Sequence, residues 1–264
     1  MEENDKQMNI DRRPIVVFDS GVGGISVLRE MVKLMPNEDF IYFGDSANAP
    51  YGTRTLEEVR ALTIGHISRM VEQGAKAVAL ACNTATSAAV NDLRAMYPDM
   101  PVIGIEPALK PAALSGGHPN VVVMATPMTL REQKFHALME RFEDTADIFR
   151  LPCPDLVEFV EQGVLDGPRV EEYLRGRFDT LGGIRVDCVV LGFTHFPFAR
   201  EVIQRVAGPQ ARLFDGGEGT ARQMRRRLLE CGIASPEEQV GSVRMENSAQ
   251  DDSMLALSWR LLRA

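Results

Sequence analysis

Cysteine is scarce and scattered in this 264-residue chain: Cys82, Cys153, Cys188 and Cys231 form no CxxC pair. That spacing argues against a zinc site and a disulfide framework, and it suits a reducing compartment, so the cytoplasm is the expected location. Long apolar runs are missing too. No stretch reaches the roughly 18 residues that a membrane span needs, and the opening MEENDKQMNIDRR has no signal-peptide core. Excess positive charge is also absent. With 29 Lys and Arg against 37 Asp and Glu the net charge is −8, which repels nucleic acid and anionic membranes over most of the surface. Arg222 to Arg227 is a local exception that reads as a solvated helix face.

What is present is an ordinary globular composition, 45% apolar and 25% charged, in a chain long enough for one large domain or two small ones. The pattern centres on AVALACNTATSAAV, residues 77 to 90. Ala77 to Ala81 is an apolar run of strand length, and Asn83, Thr84 and Thr86 are capping-type residues that open a helix. Cys82 therefore stands at a strand end, facing a helix N-terminus. Unpaired N–H groups and the helix dipole favour thiolate there, so a thiol more acidic than the usual value of about 8.5 is expected.

Earlier in the chain, Ile15 to Phe18 reads as a strand that runs into the glycine turn Asp19-Ser20-Gly21-Val22-Gly23-Gly24, with helical spacing after it. The turn matches neither a Walker A loop nor a dinucleotide fingerprint, although its N–H groups suit a carboxylate. Phe40 to Phe43 is a second strand, before Pro50-Tyr51-Gly52 and a Thr55/Glu58 capping box; Val102 to Ile105 is a fourth. The pattern then repeats. Val121 to Met124, Ile148 to Leu151, Cys188 to Leu191 and Arg212 to Asp215 follow the first four in order, offset by roughly 106 to 111 residues. The third repeat lays Phe193 on Cys82.

Duplicated strand–helix units predict an α/β fold of two pseudo-symmetric lobes, with mainly parallel sheets, flanking helices and a cleft between them. Residues 1–104 with 214–264 are expected to form one lobe and residues 105–213 the other, with residues 1–13 a frayed tail. The strand ends bring Asp19, Ser20, Pro50, Tyr51, Cys82, Asn83, Thr84, Thr126, Glu161, Thr194 and His195 around the cleft.

FDSGVGG (18–24), PYG (50–52), ACNTAT (81–86), IEP (105–107), CP followed by VEQG (153–163) and LGxTHxP (191–197) resemble, in order, the glutamate racemases of the aspartate/glutamate racemase superfamily. The resemblance implies an isomerase without metal or pyridoxal cofactor, a homodimer supplying D-glutamate for peptidoglycan, with a small acid as its partner and neither nucleic acid nor membrane. It further implies that Cys82 is an acid/base acting on the D-enantiomer, assisted by Asp19 and Ser20. By the same resemblance Pro50, Tyr51 and Gly52 line the pocket, while Asn83, Thr84, Thr126 and Thr194 bind the substrate's amino and carboxylate groups. His195 with Glu161 assists chemistry on the second face.

The departure falls at residue 193. Glutamate racemases carry a second cysteine in this motif, and this chain has Phe193. Inversion through a planar carbanion needs a base on one face and an acid on the other, and a phenyl ring is neither. Racemisation is therefore expected to be weak or one-sided. The alternatives are a single-cysteine enzyme, exchanging an α-proton on one face or decarboxylating a malonate-type acid, and a glutamate-binding homologue without catalysis. Cys188, an odd number of positions upstream, is expected to face the core on the other side of its strand.

Overall fold

The computed structural model describes residues 11–125, 133–249 and 251–264. Among the described residues, nine strands form two parallel sheets. The first holds β1 (Ile15–Asp19), β2 (Phe40–Gly44), β3 (Ala77–Leu80), β4 (Val102–Gly104) and β9 (Val243–Asn247), in the order β4-β3-β1-β2-β9. The second holds β5 (Asn120–Ala125), β6 (Asp147–Pro152), β7 (Cys188–Leu191) and β8 (Arg212–Asp215), in the order β6-β5-β7-β8.

Read from its other edge, the second order repeats the first without β9, which gives the expected duplication a topological form. The register agrees as well: Ile15 pairs with Phe40 and Ala77, as Val121 pairs with Ile148 and Cys188. One match moves by a residue. Val78 pairs with Val102 and Val189 with Leu213, so the counterpart of Val102 is Leu213, not Arg212.

Strands covered on both faces read as unbroken apolar runs rather than alternating ones. Ile15, Val17, Tyr42 and Ala79 join one core cluster, and Val16, Phe18, Phe43 and Leu80 the cluster on the opposite face. The second sheet divides in the same way, with Val122, Met124 and Val189 on one side and Val121, Val123 and Cys188 on the other. Cys188 is fully buried, as its offset predicts.

Among the described residues, the helices flanking the sheets include α1 (Ile25–Leu34), α2 (Leu56–Glu72), α3 (Asn83–Met96), α6 (Asp155–Glu161), α9 (Gly217–Glu230) and α10 (Asp252–Arg263). The four others are α4 (Leu109–Ala113), α5 (Gln133–Glu140), α7 (Pro168–Asp179) and α8 (Arg200–Ala207). Thr55 and Glu58 form the expected capping box at the start of α2. The cluster that holds α1, α9 and α10 also takes in Val160 of α6 and Phe198, so apolar packing continues from one sheet system into the other. Among the described residues, no helix is long and apolar enough to cross a membrane.

The strand N-termini, away from the cleft, carry a buried ion pair. Lys76 Nζ lies 2.7 Å from Glu38 Oε2, with their side chains 0% and 2% exposed. The ammonium also donates to the carbonyls of Asp11 and Ile233, and Ser235 donates to Glu38 through both N–H and hydroxyl. Residues 1–10 lie outside the described residues, and Asp11 is already held in this cluster. Lys76→Met is expected to strand the Glu38 charge and cost about 3–5 kcal/mol of stability. Urea denaturation checks this; a loss under about 1 kcal/mol, the size of a surface pair, would contradict it.

Candidate active site

Ligands of open parallel sheets sit at strand C-termini where the chain leaves in opposite directions. In the first sheet that point lies between β1 and β3, and it carries Asp19, Ser20 and Cys82. In the second it lies between β5 and β7, where Phe193 and Thr194 follow β7.

Cys82 is itself the N-cap of α3: Ala85 N–H donates to its sulfur at 3.4 Å, and the Ser20 hydroxyl at 3.5 Å. These contacts favour thiolate, yet the expected acidic thiol is not found. Cys82 is only 6% exposed, and burial, reinforced by the charge of Asp19, pushes it up to about 11. Loss of hydration outweighs two hydrogen bonds to a soft acceptor.

Asp19 is 1% exposed. Its Oδ1 accepts from Gly21 N–H at 2.8 Å, and its Oδ2 from the Thr194 hydroxyl of the other sheet system at 3.4 Å. Burial raises its proton affinity, opposed by the neighbouring His195 and by these donors. His195, whose side chain is 6% exposed, places Nε2 3.3 Å from Glu161 Oε1, while the Glu161 side chain is 47% exposed. His195 Nδ1 has no hydrogen-bond partner and lies against the backbone of Gly23. A Cβ at Gly23 would collide with Thr194 Oγ1 and with the imidazole, which is why the turn carries glycine there.

Phe193 is half-buried. Its ring stacks on the His195 imidazole at 5.1 Å between centroids and 16° between planes, and leans on Phe196 at 5.8 Å. It borders a crevice with Asn83, Thr194, Glu106 and Asp215. Asn83 reaches across the cleft, its Nδ2 donating to the Gly192 carbonyl at 3.4 Å. Tyr51 is 2% exposed and belongs to the same apolar cluster as Cys82, while Pro50 and Gly52 lie nearer the surface. Thr84 is half-buried in the first turn of α3. Thr126 falls outside the described residues.

Two residues of this region carry no motif signal. Ser26 Oγ donates to the Thr194 carbonyl at 2.8 Å, and Tyr42 OH to the Gly21 carbonyl at 2.7 Å, so each fixes a loop that holds a reactive group. A serine inside a helix and a tyrosine inside a strand look like ordinary packing in sequence. The remaining thiols stand apart. Cys153 is buried, and its burial pushes it up to about 12; Cys231 is exposed. Among the described residues no group of His, Cys, Asp and Glu is arranged to hold a metal ion.

A sequence model of the Asp/Glu/Hydantoin racemase family matches residues 15–224. A glutamate racemase of Clostridium botulinum (strain Alaska E43 / Type E3) is 48% identical over 257 residues, covering 97% of this chain and all of the relative. One from Clostridium novyi (strain NT) is 46% identical over 256 residues, covering 97% and 99%. Among solved structures, Escherichia coli glutamate racemase in complex with L-glutamate and the activator UDP-MurNAc-Ala has a TM-score of 0.83 at 28% identity, with 95% of each chain covered. The Thermus thermophilus enzyme in complex with β-chloro-D-alanine has a TM-score of 0.77 at 33% identity, covering 96% of this chain and 94% of that one. With a thiol and a carboxylate buried at one strand switch point, an imidazole–carboxylate pair opposite, and relatives matched end to end, the chain belongs to the Asp/Glu/Hydantoin racemase family.

Proposed function

We propose that this protein is a glutamate racemase by lineage whose acid/base chemistry runs on one thiol. The observation that carries the reading is that Cys82, the N-cap of α3 with a hydrogen bond from Ser20, has a phenyl ring as its counterpart at the duplicated position. Relatives named glutamate racemase, matched over nearly their whole length, support glutamate as substrate. D-glutamate for peptidoglycan, cytoplasmic residence and a homodimer belong to the same reading.

Asn83, Thr84 and Thr194, with Thr126 by resemblance, supply donors for the two carboxylates and acceptors for the ammonium group, and Pro50, Tyr51 and Gly52 form the wall. With D-glutamate bound, the Cys82 thiolate removes the α-hydrogen, which becomes the S–H proton, and the electron pair stays on the α-carbon. Return of a proton from Cys82 regenerates D-glutamate. Inversion requires a proton from the opposite face, where Phe193 has none to give. His195 lies on that side, covered on one face by the Phe193 ring and tied at Nε2 to Glu161.

In D2O the protein is therefore expected to exchange the α-hydrogen of D-glutamate without inverting it, and to leave L-glutamate unexchanged. Proton NMR reads both, and rapid interconversion of the enantiomers would refute one-thiol chemistry. Phe193→Cys is expected to raise racemisation by about 10²–10⁴-fold, the worth of a positioned acid or base. A folded, glutamate-binding variant with no gain would count against the assignment. Because the Cys82 thiol is raised to about 11, its thiolate fraction grows as pH rises toward that value. In a Cys231→Ser background, iodoacetamide labelling of Cys82 is expected to be slow at neutral pH with a midpoint at about 11; a midpoint at the ~8.5 of a free cysteine would overturn the assignment.

A further inference from the structure

The loop after β2 contains a fully buried carboxylate to which the chemistry above gives no role. Asp45 is 0% exposed. Its Oδ2 accepts from the Tyr51 hydroxyl at 2.6 Å and lies 3.1 Å from His66 Nε2 of α2, while Asn48 Nδ2 approaches Oδ1 and Oδ2 at 2.9 and 3.1 Å. The Asp45 backbone N–H donates to the Asp19 carbonyl at 2.9 Å. Arg54 closes the loop from its other end, its Nε donating to the Asn48 carbonyl at 2.6 Å. A buried carboxylate without partners would be neutral. Burial does push Asp45 up, but hydrogen bonds from His66, Ser248, Tyr51 and Asn48 outweigh it and hold the carboxyl well below the usual carboxylate range.

The phenol it grips matters more than the carboxylate itself. Tyr51 is the middle residue of the Pro50-Tyr51-Gly52 wall, it packs on Phe18 with ring centroids 6.3 Å apart, and it shares an apolar cluster with Cys82. One side chain thus ties the pocket wall to the β1 end that carries Asp19. The third element, α2, is joined through His66, whose ring also packs against Phe43, tilted by 38° with centroids 4.8 Å apart.

We propose that Asp45 is a positioning residue for the reaction: through Tyr51 it fixes the Pro50–Gly52 wall beside Cys82, and glutamate affinity depends on it although it does not touch glutamate. This rests on the reading that Pro50, Tyr51 and Gly52 line the glutamate pocket. A charge-assisted hydrogen bond of this kind, once lost, is worth about tenfold in an equilibrium constant.

The test is a double-mutant cycle on D-glutamate binding by calorimetry, with Asp45→Asn, Tyr51→Phe and the pair. Each single substitution is expected to raise the Kd about tenfold, and the double variant no further than the larger single, because both act on the wall through the same Tyr51–Asp45 hydrogen bond. Glu38→Gln, which cuts the ion pair at the opposite end of the same sheet, is expected to lower the melting temperature and leave the Kd unchanged; this separates positioning from general stability. An unchanged Kd in a folded Asp45→Asn variant overturns the proposal, and so do multiplying effects in the double variant. Should Asp45→Asn fail to fold, Tyr51→Phe decides alone, since it keeps the ring and removes only the hydroxyl: an unchanged Kd overturns the proposal. Wild-type protein that binds no D-glutamate overturns the pocket reading, and the role of Asp45 falls with it. Wild-type binding with no effect of Asp45→Asn overturns the positioning role alone.

Discussion

The candidate site depends on a close approach of two backbones, the glycine turn after β1 and the Thr194-His195 segment after β7. Gly23 leaves room for the imidazole and the Thr194 hydroxyl to lie directly on the turn. Ser26 then fastens the Thr194 carbonyl, and Thr194 reaches Asp19. A carboxylate, a thiol and an imidazole are thereby withdrawn from water at one junction. In a site of this dryness each charge is felt strongly by its neighbours, and the protonation of Cys82 reflects Asp19 as much as its own helix.

Much of the fold is legible in the sequence because buried parallel strands have a plain signature. IVVF, AVAL and CVVL are apolar at every position since both faces of each sheet are covered. The duplication is legible for the same reason, and strand register sharpens it by one residue at β8. The edge strand β9 escapes notice: VRMEN has a single buried residue, Met245, and its partly polar face reads as loop.

The site is legible in its cast and less so in its electrostatics. A helix N-terminus behind Cys82 argues for an acidic thiol, and the structure provides the hydrogen bonds that the argument requires. Sequence cannot show how deeply the sulfur is buried, or that a second buried acid adds its charge from the neighbouring strand, and those two facts reverse the sign. Asp45 and Ser26 are invisible for a related reason. Their importance lies in which loop they hold, and this is settled only when distant segments meet. Phe193 is the converse case, a departure plain in the motif whose physical consequence, a ring laid over the imidazole, needs coordinates.

The seam between Gly23 and Thr194 carries a further consequence for substrate entry. Any parting of the two halves wide enough to admit a dipolar acid would pull the Thr194 hydroxyl from Asp19 and let water reach the carboxyl, lowering the proton affinity that burial confers. As the seam stands, the carboxyl is held in its drier state, so the access of water and the acidity of Asp19 are coupled at one place in the fold.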